Sequence, residues 1–186
     1  MKWLKIILVS IAFLGATAMV LLFSGCSQQK SGDNLQKHRY QSVCIDAKAM
    51  PVRAEVYVPV YSDIYHIDGT RKFALTATLS IRNASTTDIF YVYSIEYYDS
   101  DGRLLRNYLD SAIIVKPMHS VEFVVENKES DGGAGANFIV KWVAEKKVTN
   151  PVIQAVMIGT ESKQGISFAV DGITTNYVCN DSAAIK

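Results

Sequence analysis

Two carboxylates and an imidazole fall within one short stretch, Asp63-Ile64-Tyr65-His66-Ile67-Asp68-Gly69. Asp63, His66 and Asp68 are residue types that can share a divalent cation. The simpler reading is a turn ending at Asp68-Gly69 with a solvated histidine, since His38 and His119 stand alone and no second cluster supports a metal centre. Asp99-Ser100-Asp101-Gly102 begins like a calcium loop but lacks the later ligands and the closing glutamate, so it reads as a turn. Gly132-Gly133-Ala134-Gly135 could cradle an anion on backbone N–H groups. It lacks the Gly-Lys-Ser/Thr ending of a phosphate loop and no helix is expected after it, so it reads as a hairpin loop. No Gly-x-Ser-x-Gly elbow is present. The sequence therefore assigns no catalytic residue and no cofactor, and an enzyme is not the expected class.

The three cysteines carry more information. Lys2 and Lys5 precede an apolar run from Ile6 to Phe23, and Ser24-Gly25-Cys26-Ser27 follows it. This is the layout of a secretory signal, with lysines that stay on the cytoplasmic side. Three readings of its end compete. In the favoured one, small Ser24 and Gly25 precede a lipidated Cys26 that becomes the new N-terminus, although Phe23 stands where leucine is usual. In the second, cleavage follows Ala16-Thr17-Ala18. In the third, the run of about 18 residues is kept as a membrane span at the lower limit of length. All three export the chain. A lipid at Cys26, of the palmitate type, would anchor it to the membrane, and stable anchoring takes more than one acyl chain. Cys44 and Cys179 then remain in an oxidising compartment. They flank the patterned region, and a bridge between them is expected to tie its two ends together.

Removing Lys2 and Lys5 from the 19 basic residues leaves 17 against 18 acidic ones. A near-neutral chain without a basic stripe is a poor partner for nucleic acid. After the signal, about 160 residues remain, enough for one domain with its own core. The expected organisation is a signal helix over 1–25, the lipid cysteine and a polar tether over 26–50, a domain over 51–180 and a tail over 181–186.

The elements that must position any site are strands. Val52 to Val60 is the first, with Pro59 confining it to an edge or a bulge. Phe73, Leu75, Ala77, Leu79 and Ile81 alternate with smaller or polar residues, which predicts one long half-buried strand. Asn83 to Asp88 is a loop. In Ile89 to Tyr98, Phe90 and Val92 mark one face and Ile95 and Tyr97 the other, which predicts a bulge near Tyr93-Ser94. Asp99 to Gly102 is a hairpin turn. Leu104–Tyr108, Ala112–Val115, Val121–Val125, Phe138–Trp142, Val152–Ile158 and Ile166–Val170 complete the strands. Short, evenly spaced strands without an amphipathic helix predict an all-β, antiparallel, immunoglobulin-like β-sandwich.

Several of these segments resemble a known bacterial family. Val56-Tyr57-Val58-Pro59-Val60-Tyr61-Ser62, Leu79-Ser80-Ile81-Arg82-Asn83, Tyr97-Tyr98-Asp99-Ser100-Asp101-Gly102, Glu122-Phe123-Val124-Val125, Gly133-Ala134-Gly135-Ala136-Asn137-Phe138 and Ala155-Val156-Met157-Ile158-Gly159-Thr160 are similar to domain of unknown function 3124. The likeness spans roughly Glu55 to Val170. It implies a secreted or lipoprotein setting and no defined activity. The middle of the chain also resembles immunoglobulin-like modules of bacterial envelope proteins, an analogy of fold that carries no function.

Tyr57, Tyr61, Tyr65, Tyr91, Tyr93, Tyr97, Tyr98 and Tyr108 make tyrosine abundant. Tyr57 and Tyr61 share one face of their strand, and an exposed tyrosine strip could hold a peptide or glycan. Ordinary sandwich packing with hydroxyls at the rim is the preferred reading of them. The expected function is a lipid-anchored binding or interaction module on the periplasmic or extracellular side, with an envelope protein, peptide or glycan as partner. The alternatives are an accessory subunit of an envelope assembly and a small enzyme or metal domain around His66.

Overall fold

The computed structural model describes residues 40–126, 130–160 and 165–180. The signal segment 1–25, Cys26, His38 and the tail 181–186 lie outside the described residues. So do residues 27–39 of the expected tether.

The alternation of the sequence becomes two antiparallel sheets. The larger contains β1 (Ser42–Val43), β2 (Val52–Pro59), β6 (Phe90–Tyr98), β7 (Leu104–Asn107), β8 (Ala112–Val115), β10 (Asn137–Ala144) and β13 (Ile173–Cys179). Its order is β1-β8-β6-β10-β2-β13, with β7 paired to the far end of β6. The smaller contains β5 (Thr76–Arg82), β9 (Ser120–Val125), β11 (Val152–Gly159) and β12 (Ile166–Asp171), in the order β12-β11-β5-β9. β3 (Asp63–His66) and β4 (Asp68–Ala74) form a separate hairpin. The architecture is all-β and sandwich-like.

Every second residue of each central strand enters one core. Val56, Val58, Phe138, Val140 and Trp142 come from the larger sheet, and Leu79, Ile81, Phe123, Ala155 and Met157 from the smaller. Tyr108 joins the two layers, with its ring 5.7 Å from both Phe123 and Phe138. Burial of each large side chain is worth about 1.5–3 kcal/mol, so the layers hold each other by area.

The expected bulge is present. Ser94 faces Lys141 and Val92 faces Trp142, which leaves Tyr93 as the extra residue. That one insertion lets Phe90, Val92, Ile95 and Tyr97 all reach the core. The turn at Asp99 also forms: Gly102 has φ 78° and its N–H donates to Asp99 O at 3.1 Å.

Four expectations change. The long strand from Phe73 divides at Leu75, because β4 pairs only with β3 whereas β5 pairs with β9 and β11. The inward face is kept through the break, and Leu75 N–H donates to Ser62 O. The stretch Asp63–Gly69 is the start of the β3–β4 hairpin, not only a turn. β2 lies inside the larger sheet, but its ladder with β13 ends at Tyr57, so Pro59 sits where that side is already open.

The fourth change concerns the cysteines. Cys44 and Cys179 are not joined by a disulfide. Cys44 follows β1 and Cys179 ends β13, which are the opposite edges of the larger sheet. Five strand spacings separate those edges, on the order of 20 Å, and a disulfide needs Cα atoms within about 7 Å. Flanking a domain in sequence did not bring them together, because sheet order is not chain order.

Residues 40–50 pack on the domain. Ile114 N–H donates to Gln41 O, and Arg53 donates to Lys48 O. Tyr40 stacks near Phe123, with ring centroids 5.3 Å apart.

Candidate functional site

The loop end of the sandwich gathers the corner after β2, the β6–β7 turn and the glycine segment. Ser62 N–H and Oγ–H both donate to Gly133 O, at 3.2 and 3.0 Å. Ser100 does the same to Gly132 O, at 3.0 Å for each. Gly135 N–H goes to Ser100 Oγ at 2.9 Å. The segment thus offers carbonyls to two serines and spends an N–H on Ser100, which is the opposite of an anion cradle.

The three metal candidates point to different partners. Asp63 is buried, with Oδ2 3.0 Å from Lys72 Nζ and Oδ1 without a partner. Asp68 accepts from Thr70 N–H and Oγ–H at 2.9 and 2.6 Å, and these bonds hold its carboxyl below the usual range. His66 is exposed, its ring edge-on to Phe73 at 6.2 Å. No group of three or more His, Cys, Asp or Glu side chains is placed to hold a metal among the described residues. Lys72 and Asp63 form an ion pair at 3.0 Å, and that hydrogen bond raises the lysine. Beside it, a hollow of about 220 Å³ is lined by Tyr65, Lys72, Asp99, Ser100 and Arg103 among others. Asp99 is fully used there: it accepts from Arg103 N–H and Nε–H, both at 2.8 Å, and from Asp101 N–H at 3.0 Å. The Arg103 backbone bond holds it below the usual carboxylate range. These contacts shape a turn rather than a reacting centre.

The outer face of the larger sheet is different. Register places Arg53, Glu55, Tyr57 and Pro59 of β2 beside Val143, Lys141, Ile139 and Asn137 of β10. Glu96 and Tyr98 of β6 face Ile139 and Asn137 from the other side. Glu96 and Lys141 pair at 3.0 Å, and Ser94 and Tyr98 each donate to Glu96 at 2.8 Å. Burial alone would raise the Glu96 carboxyl, but the three donors outweigh it and hold it below its ordinary value. Burial likewise would lower Lys141, but the bond to Glu96 together with the negative charge of Glu96 and Glu55 outweighs it and raises the ammonium. Below this pair, a shallow hollow of about 590 Å³ is lined by Asp46, Ala47, Lys48, Arg53 and Tyr93. Above it, Tyr57, Pro59, Ile139 and Tyr98 form a half-exposed apolar patch, extended by Ile173, which is 62 % exposed.

The expected pairing of Tyr57 with Tyr61 does not hold, because Tyr61 turns onto the core against Phe168 at 5.7 Å. The tyrosine that joins Tyr57 on the outer face is Tyr98. Sequence reasoning had no signal for Glu96 and Lys141, which are 45 positions apart and meet only through the β6–β10 register.

The pair makes a pH prediction. A depressed carboxyl contributes stability that is complete above its ordinary value of 4.5 and is lost as pH falls through its lower folded value. A raised ammonium contributes stability that is complete below its ordinary value of 10.5 and is lost as pH rises through its higher folded value. Glu96→Gln should therefore cost about 1–2 kcal/mol at neutral pH, and the deficit should vanish in acid. Urea melts of both proteins across pH check this, and a deficit that persists below the folded carboxyl value would refute it.

A family model described as "Protein of unknown function (DUF3124)" matches residues 53–174. No curated protein matches the chain. Among solved structures, a crystal structure of Thermotoga maritima 1070 is similar over 64 % of this chain and 92 % of that one, at 12 % identity and a TM-score of 0.37.

Proposed function

The chain belongs to the DUF3124 family, and from that premise we propose that it is a lipid-anchored envelope protein whose sandwich is a binding module. The observation that carries the reading is the outer face of the larger sheet. Tyr57 and Tyr98 stand there with Pro59 and Ile139, next to a satisfied Glu96–Lys141 pair. Tyrosines offer rigid apolar area with a hydroxyl at low entropic cost. A flat aromatic patch bordered by fixed charges suits a glycan or an extended peptide better than a small molecule, which takes an enclosed pocket. In this reading the domain binds and does not catalyse.

The anchor is Cys26, at the end of an apolar run that begins after two lysines. It places the domain on the periplasmic or extracellular side of a membrane. The sandwich is taken as immunoglobulin-like in this proposal, a scaffold that commonly carries its ligand on one sheet face or at its loop end.

Two measurements test it separately. Labelled palmitate should enter the wild-type protein and not Cys26→Ala; equal labelling, or none in either, removes the anchor. Glycan and peptide arrays should give a ligand whose affinity falls at least tenfold in Tyr57→Ala/Tyr98→Ala, a variant that loses the Tyr98 bond to Glu96 but still melts cooperatively. Binding unchanged in that variant would move the site off this face.

A further inference from the structure

Resting on the binding reading of the outer face, we infer that its ligand is an uncharged oligosaccharide, lying along β2 and β10 from the hollow at Arg53 to the patch of Tyr57 and Tyr98. β2, β10 and β6 are interior strands, each with a neighbour on both sides. Their backbone groups pair within the ladders. An extended peptide draws much of its affinity from backbone pairing at a sheet edge, and that mode is closed in the middle of a sheet. The face offers side chains instead.

Several of these side chains keep hydrogen-bonding capacity that the fold does not use. Arg53 gives one N–H to Lys48 O, and a guanidinium has five. The Glu55 carboxylate takes only a long contact from the Thr175 hydroxyl, at 3.4 Å. Tyr57 and Tyr93 are half-exposed. Glu96, by contrast, is saturated by Ser94, Tyr98 and Lys141, and it holds Lys141 in place. Donors and acceptors therefore stand side by side along β2. A hydroxyl both donates and accepts, so neighbouring sugar hydroxyls can meet Arg53 with a lone pair and Glu55 with a proton. Sugar C–H groups can lie against the faces of Tyr57 and Tyr98. Arg53 and Tyr57 are four residues apart on one strand, about 13 Å, so several linked sugars span the strip and one sugar does not.

Charge selects among glycans. In this strip the cations Lys48, Arg53 and Lys141 are matched by Asp46, Glu55 and Glu96. A polyanion would meet Glu55, and a polycation would meet Arg53. Each contact is a penalty against the wrong ligand, and an uncharged chain avoids both.

The test uses the full chain in a detergent without sugar headgroups, titrated calorimetrically at slightly acid pH. The probes are uncharged hexamers of glucose and of N-acetylglucosamine, hexagalacturonate as the anion and hexaglucosamine as the cation. An uncharged hexamer should bind at least tenfold more tightly than either charged one. Glu55→Gln should cut the preference over the anion to about threefold or less, and Arg53→Gln the preference over the cation by as much. A charged hexamer that binds best, or peptide binding alone that depends on Tyr57 and Tyr98, overturns this inference and leaves the face as a binding site. Preferences that neither Glu55→Gln nor Arg53→Gln alters overturn it too, because the class would then be set elsewhere. Failure of every sugar and peptide to bind overturns the inference and the binding reading together. So does resistance of Tyr57 to iodination in the free chain, which would mean that the chain's own residues 1–39 or 181–186 cover the face.

Discussion

Gly132→Ala should lower the thermal midpoint by about 10 °C, while Gly69→Ala leaves it within a degree or two. A Cβ at Gly132 would lie 1.9 Å from Tyr97 Oη, 2.9 Å from its Cζ and 2.9 Å from Ser62 Oγ. Tyr97 cannot step aside cheaply. It is 2 % exposed, and its ring lies 5.0 Å from Phe138 in the core. Either the ring tilts into that packing or the turn at Ser130–Gly132 moves outward and strains the bonds from Ser62 and Ser100. Overpacking of this kind costs about 2–3 kcal/mol, which for a domain of this size is roughly 8–12 °C. At Gly69 nothing lies within 4 Å, so a methyl group meets only solvent. A double-mutant cycle separates the two routes of relief. If the hydroxyl is the obstacle, Gly132→Ala should cost about half as much in a Tyr97→Phe background. An equal cost in both backgrounds would show that the turn, not the ring, absorbs the methyl.

Gly132 also shows what the sequence could and could not say. Gly132-Gly133-Ala134-Gly135 reads as a loop, and as glycines that either hold a ligand or keep out of the way. The structure selects the second, because the space beside Gly132 is filled by a residue 35 positions earlier. Local phase was legible: the slip between Phe90-Val92 and Ile95-Tyr97 located the bulge to the pair Tyr93-Ser94, since the period of a strand is two and one insertion inverts it. Inward faces were legible for the same reason, even across the break at Leu75. Partner choice was not. Glu96 meets Lys141, and Tyr40 meets Glu122, through registers that no local pattern encodes. β13 escaped notice because an edge strand, exposed over most of its length, has no alternation to display. The turn near Asp68-Gly69 was legible, but the β3–β4 strands around it were not, because the first five residues of β4 are all exposed and show no alternation.

Asn83→Ala should cost about 3 kcal/mol, again roughly 10 °C, although the residue lies in a loop. Asn83 is 3 % exposed. Its Nδ2 donates to Asp88 O at 2.8 Å and to Val115 O at 3.1 Å, and its Oδ1 accepts from Ser85 N–H at 2.9 Å. Val115 ends β8 in the larger sheet, whereas Asn83 follows β5 in the smaller one. One amide therefore fastens the two layers at the end opposite the glycine segment. Alanine removes all three bonds and leaves buried backbone groups unpaired, at about 1–3 kcal/mol for each group that water cannot reach. Asn83→Asp sharpens the test. The carboxylate keeps the acceptor for Ser85 but turns anionic oxygen toward two carbonyls, which should raise its folded pKa. An acid with a raised folded value loses stability as pH climbs from its unfolded to its folded value. Asn83→Asp should thus be less stable than Asn83→Ala at neutral pH and approach or exceed it in acid. Hydrogen exchange at Ser85 N–H gives a local readout: it should accelerate in Asn83→Ala and stay protected in Asn83→Asp. Equal, pH-independent losses in both variants would mean that the amide fills space there without bridging the sheets.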